Sequence, residues 1–290
     1  MTTDLCLSPI RSDLNADKEV REYLFSLHWS TGCIEQFLKE ARGCPKRFFL
    51  IDDSGSMMTK DTHHLTKTQG VWSTEKTTRW VELVETVHFH AKLAHISQWP
   101  TEFRFLNNHD PILVGESNDS GYHYKILEDS LKTQPIHLTP LCRHMKEIIQ
   151  EVEKMAPELK ATGRKVKIII ATDGEATDGD LAETMKPLEH LPVWIVLRLC
   201  SESKATIEYW ADIDARLEVN IDVVQNPIAE AKEVHSCNPW LNYSEQLHRL
   251  RESGITFREA DFLDEKTLSL SQIHSFCSLM WSLYDIPSCC

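Results

Sequence analysis

Nothing in the opening residues, Met1-Thr2-Thr3-Asp4-Leu5, joins a basic stretch to an apolar one, so the chain carries no recognisable secretion signal. No apolar run approaches the length that crosses a bilayer, which predicts no membrane span. Positive charge is also short: 31 basic residues against 44 acidic give a formal net charge of -13. That sign disfavours nucleic acid or an anionic membrane as a main partner, since both are bound through basic patches. The nine cysteines never form a C-x-x-C pair, and several, such as Cys142 and Cys200, lie inside apolar segments. An odd count with such placement predicts reduced thiols in a reducing compartment, the cytoplasm. The terminal Cys289-Cys290 has no polybasic neighbour, so lipidation there is not expected.

Catalytic signatures are missing as well. There is no G-x-S-x-G elbow, no phosphate-binding loop and no Cys–His pair at a recognisable motif. His88 and His90 stand two apart on a helical stretch, so they face different sides and cannot share a metal.

Apolar residues make up 41% of the 290, enough for a sizeable core. Arg47 to Ile51 reads as a buried strand that stops at Asp52. Met58 to Lys76 is polar and aperiodic and predicts a loop. Trp80, Leu83, Val84, Val87, Ala91 and Ala94 recur at helical spacing. A strand over 101–106 follows, then a hairpin-like pair of short segments over 112–127 around Ser120-Gly121. Thr139 suits an N-cap and Pro140 a first helical residue, with a stripe from Leu141 to Met155 behind them.

Val166 to Ala171 is nearly all β-branched, as a central parallel strand requires. Asp180 opens a short helix, 192–199 is another strand, and Leu217 to Val223 alternates like an edge strand. Asn238-Pro239 predicts the cap of a helix ending before Gly254. Strands alternating with helices predict an α/β, Rossmann-like, doubly wound and mostly parallel sheet with helices on both faces. Its sites form at the carboxyl ends of the strands, which selects the positions after Ile51 and Ala171.

The first of these strands runs into Asp52-Asp53-Ser54-Gly55-Ser56, in which Asp52, Ser54 and Ser56 fit D-x-S-x-S. The second runs into Thr172-Asp173-Gly174, and Thr139 stands before a helix between them. Together the three pieces resemble the metal-ion-dependent adhesion site of von Willebrand factor type A domains, of the intracellular eukaryotic type. The resemblance covers about 45–254, with a helical extension at 1–44 and another at 255–290 that packs on the domain.

It implies a Mg2+ (or Mn2+) ion bound directly by Ser54, Ser56 and Thr139, with Asp52 and Asp173 orienting and neutralising from behind. Such an ion keeps much of its charge and binds an outside carboxylate, so the implied function is a protein–protein adaptor whose partner supplies Glu or Asp, and not an enzyme. One departure touches the threonine. The family usually has glycine just before it, whereas this chain has His137-Leu138, and Thr133 is the alternative ligand. A hydrolase or phosphoryl-transfer enzyme using Asp52 as nucleophile is the other reading; that chemistry usually wants D-x-D, and Ser54 holds the second position. A scaffold with a vestigial site is a third.

Overall fold

The computed structural model describes residues 14–281 except 69–70, 108–109, 117–119 and 256. The expectations for the first residues and for Cys289-Cys290 lie outside them. In chain order the elements are α1 (Leu14–Ser26), α2 (Thr31–Gly43), β1 (Arg47–Ile51), β2 (Thr62–Thr68), β3 (Val71–Thr77), α3 (Arg79–Ser97), β4 (Thr101–Phe105) and β5 (Ile112–Val114). Then come α4 (Tyr122–Ser130), α5 (Leu141–Thr162), β6 (Val166–Thr172), α6 (Leu181–Met185), β7 (Val193–Leu199) and α7 (Lys204–Arg216). The chain continues through β8 (Ile221–Val224), α8 (Pro227–Cys237), α9 (Glu245–Glu252), α10 (Arg258–Asp261) and α11 (Leu270–Trp281).

Six strands form one sheet in the order β5-β4-β1-β6-β7-β8. All neighbours are parallel except β4 and β5. This is the Rossmann-like doubly wound arrangement that the alternation of strands and helices predicts. Along β1, Phe48 and Leu50 join the core beneath α5, α6 and α7, while Phe49 and Ile51 join the core beneath α3 and α4. The period of two along a strand therefore divides one apolar run between two faces, and the run is apolar throughout because both faces are covered.

A third core gathers α1, α2, α9 and α11 around Phe89, Leu93 and Trp99. The helical segments at both ends of the described chain thus pack on the sheet domain and on each other. Among the described residues no helix is long and apolar enough to cross a membrane.

Several local expectations change. The Met58–Lys76 segment is a 3-10 turn (Gly55–Met58) followed by the antiparallel hairpin β2–β3, which pairs with no strand of the main sheet. The 112–127 stretch is β5, followed at once by Gly115 at φ +88, and then the start of α4, whose N-cap is Gly121 at φ +89. Thr206, Trp210 and Ile213 form the buried stripe of α7, a helix the aperiodic surroundings concealed. The edge strand consequently starts at Ile221, not Leu217, which caps the end of α7. Asn226 caps α8 by accepting from the amides of Ile228 and Ala229, and Ser244 caps α9; Asn238 lies after α8 instead of opening a helix. Trp80, on the stripe of α3, and Trp210 are core residues, whereas Trp281 is exposed.

Candidate metal centre

In the sheet order, the chain leaves β1 toward β4 on one side and leaves β6 toward β7 on the other. The crevice between the carboxyl ends of β1 and β6 is the topological switch point, where doubly wound sheets bind ligands. Ile51 lies opposite Ala171 in the register. The residues that follow them, Asp52 to Ser56 and Thr172 to Gly174, are therefore forced together.

Asp52 is fully buried. One of its oxygens accepts the Ser54 amide at 2.9 Å and the other accepts the Thr172 hydroxyl at 2.5 Å. Burial pushes its carboxyl up to about 6, the nearby Asp173 charge adds to that, and the bonds from Ser54 and Thr172 oppose it. The Ser54 and Ser56 hydroxyl oxygens lie 2.9 Å apart, and the Ser56 hydroxyl donates to Asp173 Oδ1 at 2.8 Å. Ser54, Ser56, Asp52 and Asp173 are thus joined in one hydrogen-bonded group.

Asp53, whose side chain alternates away from the serines, accepts the backbone and side-chain amides of Asn107 at 2.8 and 3.0 Å. Its carbonyl accepts Ile136 N–H at 2.8 Å, and the Gly55 amide donates to the His137 carbonyl at 3.2 Å. These bonds bring the 135–139 loop against the D-x-S-x-S turn.

Thr139 is buried and is bonded to Thr177, outside the Ser54–Ser56–Asp173 group: its amide donates to Thr177 Oγ1 at 3.1 Å and its carbonyl accepts from Thr177 N–H at 2.9 Å. It does not cap α5. The helix begins at Leu141 after Pro140, and its free amides at Cys142 and Arg143 are taken by the Asp178 carboxylate at 2.9 and 2.8 Å. A carboxylate there also suits the positive helix end. The Thr139 hydroxyl is thereby released from capping. Thr133 is exposed at the end of α4, outside these bonds. Leu138 stands where the resemblance leads one to expect glycine, and the left-handed φ of 72 falls one residue earlier, at His137.

Two contributors escaped the sequence reading. Thr172 belongs to the T-D-G piece but is given no role by it; in the structure it closes β6 and bonds Asp52. Arg79, the first residue of α3, places Nη1 2.8 Å from Asp173 Oδ2 and Nε 2.8 Å from Asp61 Oδ1, with its remaining nitrogen also on Asp61. Burial opposes the Arg79 charge, but bonds to Asp61 and Asp173 outweigh it and raise the pKa. A signal for Arg79 did exist: a cation in the first turn works against the helix dipole, so it implies a carboxylate nearby.

The donors are hydroxyl and carboxylate oxygens, the hard set that suits Mg2+ or Mn2+, and the serine oxygens converge beside a carboxylate, so the residues present fit such an ion. Elsewhere, Glu230, Glu233 and Asp264 bring carboxylate oxygens within 4.8 Å of one another. There the buried Arg251 already bridges Glu230 and Asp264. That group is an ion-pair cluster supporting α8 and α9. No protein-family model and no curated protein matches the chain.

Proposed function

We propose that the chain is a von Willebrand factor A-like module that binds Mg2+ or Mn2+ at Ser54, Ser56 and Thr139, backed by Asp52 and Asp173, and uses the ion to hold a Glu or Asp of a partner protein. The observation that carries this reading is the bonded group Ser54–Ser56–Asp173 at the switch point of the sheet. Neutral hydroxyls beside buried carboxylates would leave an ion short of direct negative ligands, and an outside carboxylate supplies one.

The rim supports a protein as the partner. Ile136 and Leu138 are 45% and 65% exposed beside the site, and Met58 is exposed on the adjoining turn. Large apolar side chains held out to solvent around a charged centre suit a partner surface better than a free metabolite. The net charge of -13 argues against nucleic acid. A cytoplasmic setting agrees with the free thiols of Cys33, Cys44, Cys142, Cys200, Cys237 and Cys277.

The nucleophile reading has less support, because both Asp52 oxygens are engaged and the side chain is buried away from any substrate. One observation favours a vestigial site: the Arg79 guanidinium already neutralises Asp173.

Calorimetry with Mg2+ and Mn2+ separates these readings. The wild type is expected to bind weakly and Asp173→Ala not at all, with circular dichroism confirming that both stay folded. Ion-dependent binding of acidic peptides, reversed by EDTA and lost when each Glu becomes Gln, is the second expected result. No ion uptake by the folded wild type would overturn the proposal.

A further inference from the structure

We propose that Arg79 is the built-in cation of this site: its guanidinium neutralises Asp173 when no divalent ion is bound and gives way when one binds. The inference rests on the ion-site reading above and adds its regulation.

The Asp173 side chain is fully buried, and its two oxygens have different partners, Ser56 Oγ on Oδ1 and Arg79 Nη1 on Oδ2. A carboxylate so far from water is strongly disfavoured without a counter-charge, and Arg79 provides it. A divalent ion drawn to the same carboxylate would meet that guanidinium. Two cations sharing one carboxylate repel each other, so ion and arginine compete.

The geometry offers the displaced group a place to stay. Arg79 uses Nη1 for Asp173 but Nε and Nη2 for Asp61. The planar fork can release one carboxylate while keeping both bonds to the other. Asp61 is exposed at the foot of the β2–β3 hairpin, so the guanidinium held there alone would face the rim where the partner docks. The charges leave room for a second cation. Asp52, Asp53, Asp61 and Asp173 bring four carboxylates to these turns, and one guanidinium bridges only two of them. Position adds to the competition, since Arg79 begins α3, where the helix dipole disfavours positive charge.

Arg251 gives the contrast. It also bridges carboxylates, but its side chain is 3% exposed and held by Glu230, Asp264 and Asp222 together. It has no exposed partner to retreat to, and nothing in its surroundings resembles a pair of hydroxyl ligands.

The test is Mn2+ affinity, measured by titration calorimetry on the full chain for wild type, Arg79→Gln, Asp61→Asn and the double variant. An arginine beside a carboxylate is worth one to three pKa units, so removing its hold on Asp173 by Arg79→Gln should let Mn2+ bind about tenfold tighter or more. Asp61→Asn should bind more weakly, because Arg79 then has only Asp173 to hold. The double variant should follow Arg79→Gln. Melting curves give a second readout: Arg79→Gln should melt below wild type in EDTA and gain more from Mn2+. Should Arg79→Gln fold poorly, Arg79→Lys keeps the charge without the fork and should lie between the two.

Wild type that binds Mn2+, with Arg79→Gln or Arg79→Lys binding no more tightly, overturns the competition and leaves the ion site standing. Absence of Mn2+ binding in every folded variant overturns both.

Discussion

Asp173 and Asp222 are both carboxylates close to a guanidinium, yet the guanidinium serves them differently. Asp173 receives a direct bond from Arg79 at 2.8 Å, whereas Arg251 stands 3.8 Å from Asp222 and bonds closer to Glu230 and Asp264. Burial therefore dominates at Asp222 and pushes its carboxyl up to about 7; Arg251 opposes this, and Asp261, Asp264 and Glu265 add to it. A carboxyl whose pKa is raised by folding contributes stability that is fully present below its unfolded value near 4 and is lost as pH rises through 7.

Asp222→Asn should accordingly stabilise the protein by about 2 kcal/mol at pH 8 and change little at pH 4. Urea titrations at the two pH values measure this, and a destabilised variant at pH 8 would mean that the Arg251 attraction outweighs burial. The same balance explains what was legible at the candidate site. Asp52 and Asp173 stood out because they lie at the ends of apolar strands, whereas Ser54 and Ser56 were named through the resemblance of D-x-S-x-S to the adhesion site. Arg79 could not be read from periodicity, since its partners lie 18 and 94 residues away and only the folded turns bring them together.

Among the elements, those buried on both faces were the most legible. β1 carries the apolar run Phe48–Ile51 and β6 the run Ile168–Ala171, which a covered parallel strand accounts for. The hairpin β2–β3 was hidden because its strands pair with each other and with no strand of the main sheet, in a polar stretch without periodicity. The helix α7 was hidden for a related reason: its buried stripe is only Thr206, Trp210 and Ile213.

Packing of α11 on α2 could not be read either, because it depends on a glycine. A Cβ built on Gly32 would lie 1.5 Å from the Leu279 carbonyl oxygen, so the two helix backbones meet where only hydrogen fits. Gly32→Ala is expected to cost about 2 kcal/mol or more by forcing α11 away. Gly43→Ala, in the same helix with nothing within 4 Å of its Cβ, should stabilise by up to about 1 kcal/mol. Thermal melts of the pair decide the matter; equal effects would mean that α11 does not rest on Gly32.

Across the whole molecule, the terminal helices and the sheet are tied by buried charge as well as by apolar contact. Glu252, at the end of α9, is fully buried and accepts from Arg198 Nε at 2.6 Å and Arg249 Nη1 at 2.8 Å, with His248 Nε2 at 3.0 Å. Arg198 belongs to β7 and also pairs with Glu82 of α3. Arg249 reaches Thr86 of α3 and lies over the Phe89 ring. One carboxylate therefore links the sheet, the helix that begins at Arg79 and the helix that joins the terminal core.

Burial favours a protonated Glu252, but Arg249 and the bonds from His248 and His90 win and hold its carboxyl well below the usual range. His248 and His90, in turn, are pushed down to about 4 by burial and stay neutral, so the cluster balances Arg198 and Arg249 against Glu82 and Glu252. Replacing Glu252 by Gln keeps the shape and removes one charge, leaving Arg198 and Arg249 with Glu82 as their one buried carboxylate beside the exposed Glu245. Breaking a buried network on one side costs about 3–5 kcal/mol, whereas an exposed pair costs less than about 1. Glu252→Gln should therefore shift the urea midpoint by an amount in the first range. Because its partners lie in all three layers, the transition should move as a whole without splitting. Far-ultraviolet circular dichroism and tryptophan fluorescence, followed together, test both parts. A separate early transition in either signal would mean that the terminal helices fold as a unit apart from the sheet and that Glu252 does not couple them.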